Sequence, residues 1–340
     1  QITWEKAKML NLGFELGLFG KIDIQADYFT EYRSNILMDR AQIPASMGLQ
    51  SPIRANVGEA SSKGFEMSLD YKDNITNDLF IAVRANFSFA TSKYEVFEEL
   101  DYTSADLPWR SRIGLNLSQP FGYIAERLFI DDADIANSPI QTFGDYMPGD
   151  IKYKDINNDG IIDINDEVPI GYPTTPEIIY GFGLSSSYRK YDLSFFFQGS
   201  ARSSFFIDAY NTSPFIDTSG SAIGNNALLS AWANDHWSEN DRNLYASWPR
   251  LSDQVIDNNN RNSTWWLRDG TFLRLKTVEI GYTFPDKLSS KLGLSGGRFY
   301  ISGTNLLTFS KFKLWDIEMG GNGLGYPIQK GGNLGLNLNF

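Results

Sequence analysis

Residues 155–166 read Asp155-Ile-Asn157-Asn-Asp159-Gly160-Ile161-Ile-Asp163-Ile-Asn-Asp166, with oxygen side chains at the first, third, fifth, ninth and twelfth places. A hard cation needs six or more oxygens at once, and alternate side chains of a tight loop converge to supply them. Gly160 at the sixth place permits the sharp turn, and Ile161 would add its backbone carbonyl. The pattern is that of an EF-hand-type calcium loop, with Asp166 where the longer glutamate is usual and Glu167 beside it as an alternative. Between Asp131 and Glu167 stand ten acids against Lys152 and Lys154, so a bound cation would also relieve repulsion. No helical pattern flanks the loop. Bound Ca2+ would therefore be a structural clip rather than a switch.

A second group of residues could bind rather than clip. Trp109, Tyr210, Trp232, Trp237 and Trp315 stand in long segments rich in Asn and Asp. Aromatic faces stack on sugar rings while amides and carboxylates bond hydroxyls, which makes these five the candidate substrate contacts. Other tryptophans, Trp265 and Trp266 among them, are expected to pack or to anchor at a membrane interface.

Catalytic readings fare worse. Gly293-Leu-Ser295-Gly-Gly297 has the G-x-S-x-G spelling but sits in a turn before a strand, and the sole histidine, His236, lies upstream of it. That is the wrong context and the wrong order for a serine hydrolase of that type. The chain has no cysteine, which excludes thiol nucleophiles, thiolate metal sites and disulfide scaffolds. Its net charge of −11 lacks the basic footprint of a nucleic-acid binder. The reading is of a protein that is not an enzyme and does not bind nucleic acid.

The elements that position these residues follow period 2 almost throughout. Leu12, Phe14, Leu16 and Leu18 alternate with small and polar residues, a Gly20-Lys21 turn follows, and Ile22, Ile24, Ala26 and Tyr28 alternate with Asp23, Gln25 and Asp27. The same grammar recurs to the end, where Leu334, Leu336, Leu338 and Phe340 alternate with Gly335, Asn337 and Asn339. The runs are longer than the five or six residues a soluble sandwich strand needs. One face is rich in Phe, Tyr and aliphatics, and the other carries Gly, Ser, Asn, Asp and Arg. Apolar side chains toward lipid and polar ones toward a wet lumen give that pattern. The fold class is therefore all-β, an antiparallel transmembrane β-barrel segment of about nine strands. They are expected at roughly 5–19, 21–38, 61–72, 78–96, 178–189, 191–201, 267–284, 298–310 and 331–340.

Short turns alternate with long segments at 39–60, 97–177, 202–264 and 312–330. Outer-membrane barrels keep short turns on the periplasmic side and long loops outside. Strand one then runs inward, and so does strand nine, which sets Phe340 at the periplasmic end. An odd number of strands does not close a bacterial barrel, and lipid does not tolerate open edges. Further strands from another polypeptide are expected to complete the wall.

Several motifs in order carry a resemblance. Gly149-Asp150-Ile-Lys-Tyr-Lys-Asp155 runs into the calcium-like loop and Ile170-Gly-Tyr-Pro173. Then come Tyr191-Asp-Leu-Ser-Phe-Phe-Phe-Gln-Gly199, Trp266-Leu-Arg-Asp-Gly-Thr-Phe-Leu-Arg-Leu-Lys276, Glu279-Ile-Gly-Tyr282 and Ser302-Gly-Thr-Asn-Leu306. Together they resemble the SusC/RagA-type TonB-dependent transporters of Bacteroidetes. The resemblance implies the last part of a 22-stranded outer-membrane barrel, a size whose lumen is plugged. It also implies an N-terminal plug with a TonB-contacting segment, and a SusD-like surface lipoprotein that caps the barrel. Import of oligosaccharides, or of peptides by the same machinery, would be driven through TonB. Plug, TonB box and early strands are absent from these 340 residues. Phe340 matches the terminal aromatic of the outer-membrane insertion signal. A surface glycan-binding β module without transport is the reading from a different class.

Overall fold

A computed structural model describes residues 2–43, 45–215 and 228–340. Nine long strands form one antiparallel sheet, each paired with its sequence neighbour. They are β1 (Lys6–Leu18), β2 (Ile22–Asp39), β3 (Arg54–Thr76), β4 (Leu79–Val96), β5 (Ile178–Tyr188), β6 (Tyr191–Ala201), β7 (Phe272–Thr283), β8 (Gly296–Ser310) and β9 (Gly331–Asn339). Strands β1 and β9 are the two edges. This is the expected antiparallel barrel wall.

Register makes the two faces continuous. Leu16 lies opposite Ile24, Ile24 opposite Leu69, Leu69 opposite Ala85, Ala85 opposite Phe182 and Phe182 opposite Phe197. On the same face toward the other edge, Leu193 lies opposite Ile280, Ile280 opposite Ile301 and Ile301 opposite Leu334. A slip of one residue anywhere would turn a strand's apolar set to the wet side, so a shared lipid face holds all nine in register.

Two boundaries differ from the sequence expectation. Strand β3 begins at Arg54 and reaches Thr76, so the connection before it is short and the strand rises well beyond the apolar band. The run expected as one strand over 267–284 is two. Leu267–Asp269 leaves the wall to pair with Ser204–Phe206, and β7 starts afresh at Phe272. The break falls at Gly270, whose amide donates to the Ser203 carbonyl at 2.8 Å and where a Cβ would stand 2.5 Å from the Ser203 hydroxyl.

The long connections are not separate loops. Tyr123, Leu128, Ile151, Tyr153, Ile162, Ile207, Trp232, Trp248, Trp266 and Ile317 bury one another in a single hydrophobic core, to which the nine wall strands contribute no buried residue. Pieces from 97–177, 202–271 and 311–330 thus make one packed unit at one end of the wall.

Candidate functional site

The wall's polar face is the first candidate surface. Asp23, Gln25, Asp27, Glu66, Ser68, Asp70, Arg84 and Asn86 project from β2, β3 and β4 on the side opposite the aliphatic rows. A cavity of about 640 Å3 is lined by Asp23, Gln25, Asp70 and Arg84 of this set and continues past Ser185 and Phe196. Arg84 pairs with Asp70 at 2.7 Å, while Asp23 lies directly opposite Asp70 and Asp27 directly opposite Glu66. Further along the sheet, Arg298 is held by Asp192 and, at 2.6 Å, by Glu279. The arrangement offers carboxylates, amides and hydroxyls to a polar solute, with few cations. Sequence reasoning placed these residues on the wet face through their alternation but did not select them as binding residues.

The second candidate surface is the loop unit, whose centre is a buried polar hub. Asp150 is 0 % exposed; its carboxylate accepts from the Met147 amide (2.9 Å) and Asn259 Nδ2 (2.8 Å) and pairs with Arg250 at 2.8 Å. Burial pushes the Asp150 carboxyl up, against the Arg250 charge that pulls it down. Gln141 ties three strands of chain together, donating to the Ile151 carbonyl and Asn258 Oδ1 and accepting from the Tyr153 amide at 2.7 Å. Nearby, Arg127 holds the Asp134 carboxyl well below the usual carboxylate range. Such a network is costly when half-made and rigid when complete. Here it fixes the centre of the loop unit.

That packing decides the fate of the aromatic candidates. Trp232 is 0 % exposed, with its ring 4.7 Å from Trp248, which stands 5.0 Å from Trp266. Trp237 is buried over Gly149, where a Cβ would come within 2.3 Å of the indole and where φ is +87°. These two are corrected from substrate contacts to core residues, because the loops needed a hydrophobic core of their own and the largest side chains supply it. Trp109 and Trp315 are half-buried and commit their indole N–H groups to the Asn165 and Gly320 carbonyls, both at 2.8 Å. Tyr210, 40 % exposed, alone of the five presents much of its ring.

In the 155–166 segment, Asp155 accepts from the amides of Asn158 (2.7 Å) and Gly160 (2.8 Å), and Asp159 from that of Ile161 (2.8 Å). The Asp163 side chain caps the next turn through the Asn165 amide. Asp166 is fully buried and reaches back to the amides of Ile156 (2.7 Å) and Asp163 (2.9 Å). Asn157 Nδ2 bonds Asp159 at 2.8 Å. Among the described residues no three His, Cys, Asp or Glu side chains converge as a metal group, and none of the four aspartates has a cationic partner. Each carboxylate oxygen keeps lone pairs beyond those amides. The donor set is hard oxygen throughout, as calcium chemistry requires.

Gly293–Gly297 runs from the turn after the helix Asp286–Lys291 into the start of β8, with Ser295 donating its amide to the Asn339 carbonyl at 2.8 Å. This helix–turn–strand order is the reverse of a nucleophile elbow. His236 Nδ1 meets the Trp232 carbonyl at 2.9 Å, a loop contact. Phe340 is 92 % exposed at the end of β9.

A two-faced antiparallel wall topped by one packed loop unit defines a portion of an outer-membrane β-barrel. No protein-family model matches the chain. It is 28% identical over 379 residues to TonB-dependent receptor P26 of Formosa agariphila, which takes in 100% of this chain and 35% of that receptor. TonB-dependent receptor P3 of the same organism is 29% identical over 329 residues, 93% of this chain and 31% of the relative. The chain thus spans about a third of the length of the curated relatives it matches. Among solved structures, the RagAB peptide importer in its open-open state superposes with a TM-score of 0.65 at 21% identity, over 100% of this chain and 35% of that one. The closed-closed state gives 0.64 at 24%, over 99% and 36%. The chain is thus similar in sequence to proteins named TonB-dependent receptors and shares its fold with part of the RagAB barrel.

Proposed function

We propose that this chain is the lumen wall and outer loop unit of a TonB-dependent importer, with the long connections outside the cell and Phe340 at the periplasmic end. The remaining strands and the plug belong to the same transporter, a SusD-like lipoprotein seats on the loop unit, and TonB acts through the plug. The observation that carries the reading is the pair of faces, one apolar and one polar, shared by nine antiparallel strands with the long connections gathered into one packed unit. Lipid demands the first face and a hydrated passage the second.

For cargo we propose oligosaccharides, supported by Tyr210 and by a polar face of carboxylates and amides beside Ser68 and Ser185. Peptides are the second reading, favoured by the burial of Trp232 and Trp237, which takes two aromatic platforms away from a sugar. The test is binding of the intact complex to oligosaccharide and peptide panels, with uptake followed in cells. Glycan binding that is lost with the lipoprotein partner supports the first reading. Binding of peptides alone would sink it, and recovery of the full-length protein as a detergent-free monomer would sink the transporter itself.

Within that reading the 155–166 loop is a calcium clip, supported by four aspartates without a cationic partner among the described residues. Asp155, Asn157, Asp159, Asp163 and Asp166 would hold the ion with the Ile161 carbonyl, and the ion would fix the loop without entering transport. Millimolar calcium is expected to protect the 150–170 region of the full-length receptor from limited proteolysis, and chelator to expose it. In the Asp155→Ala/Asp159→Ala variant the difference should vanish. Equal cutting of the unaltered receptor with and without calcium would refute the clip.

A further inference from the structure

The outward face of the wall changes character within one cross-strand row. Tyr28, Phe65, Phe89 and Ile178 stand side by side as the last apolar row. The next row is Thr30, Lys63 and Thr91, and Lys93 stands one row beyond. A recess of about 610 Å3 opens there, roofed by the chain at 114–119 and 171–173. Arg202 lines it from the side, with its guanidinium 5.8 Å from the Phe89 ring and 5.7 Å from that of Tyr172.

The charges are unequal in their commitments. Arg202 pairs with Glu177 at 2.8 Å, and Glu177, 6 % exposed, also accepts from the Thr91 hydroxyl. Lys93 pairs with Glu95 at 3.1 Å, both in part exposed. Lys63, exposed, has no carboxylate partner among the described residues. Its ammonium therefore stands alone among hydroxyls, immediately above hydrocarbon-facing aromatics. A lysine is a point charge well suited to a phosphate oxygen, and basic recesses at a membrane boundary select anionic headgroups.

We propose that this recess binds a phosphate-bearing headgroup of an outer-leaflet glycolipid, its phosphate on Lys63 and Lys93 and its acyl chains along Tyr28, Phe65 and Phe89. The apolar row is what distinguishes a lipid from a free anion, which would use only the polar half. The inference rests on the proposed orientation, with long connections outside.

The test uses the full-length receptor extracted from outer membranes in mild detergent, with purified phosphorylated lipid A as probe and enzymatically dephosphorylated lipid A as control. Retained glycolipid, read by native mass spectrometry, is expected to fall at least about five-fold for each lysine reversed in Lys63→Glu and Lys63→Glu/Lys93→Glu. Dephosphorylated lipid should be retained as poorly by the unaltered receptor. Unchanged retention in the variants, equal retention of the dephosphorylated lipid, or full displacement by millimolar inorganic phosphate would each overturn the site. Heat-modifiable migration verifies that the variants fold, and Lys63→Ala serves if a reversed charge blocks folding. Substrate uptake by the variants should stay normal. Absence of the unaltered receptor from outer membranes would instead strike at the barrel reading.

Discussion

Alanine at Arg250 is expected to destabilise the loop unit by about 3–5 kcal/mol, because it leaves a buried carboxylate without its cation. Asp150 is wholly enclosed, and its remaining partners are an amide and an asparagine side chain. Neither neutralises it. Desolvation already pushes this carboxyl up with Arg250 in place, so the variant should take up a proton at Asp150 or loosen around it. Either outcome frees Asn259, which bonds the Ile151 amide at 2.9 Å and so links the hub to the strand Ile151–Tyr153. Limited proteolysis of intact cells should show faster cutting in the surface unit, while heat-modifiable migration of the barrel stays unchanged. The double variant Arg250→Met/Asp150→Leu should recover much of the loss, since an apolar pair of similar volume removes the stranded charge. Equal protease resistance of the single variant would show that the hub does not hold the unit.

Arginine at Leu184 is expected to cost about 2–4 kcal/mol, the penalty for a cation on the lipid face near mid-bilayer. Leu184 sits between Val83 and Phe195 on the apolar face, within the band bounded by the Tyr188–Tyr191 row and the Ile178 row. Ser185, its neighbour in β5, lines the cavity on the other face. Ser185→Arg should therefore be nearly neutral for assembly while altering what the lumen admits. Folded receptor in outer membranes, measured by heat-modifiable migration, should drop sharply for Leu184→Arg and hardly for Ser185→Arg. Equal levels for the two would reverse or abolish the assignment of faces.

The wall was legible because its rule is local. Each strand announces itself by alternation, and the turns at Gly20-Lys21 and Arg189-Lys190 are short enough to fix the pairing of their neighbours. Arg189 adopts a left-handed φ of 56° to make its turn, a detail no alternation reveals. The loop unit was not legible, since its contacts join residues far apart. Trp232, Trp248 and Trp266, spread over one long connection, meet Trp315 from another, so no short window of sequence contains the pattern that buries them. Exposed aromatics in polar surroundings and a dispersed hydrophobic core look alike in one dimension. The aspartates of 155–166 stood out for the opposite reason, as their geometry is set within twelve residues.

The interleaving of the loop unit sets an order of events. Its parts arrive in three instalments separated by wall strands, and the last lies between β8 and β9. Asp208 receives its backbone partner, the Gly321 carbonyl, only from that final instalment. Arg274, buried at the head of β7, likewise waits for Asp316 (2.6 Å) and Glu318 (2.7 Å). A chain halted before residue 311 would carry a guanidinium without its two carboxylates and an indole, Trp232, missing its edge-on neighbour Trp315. The loop unit is therefore completed only when the segment between β8 and β9 is in place, and a product truncated before it would be marked as unfinished by its own exposed interior.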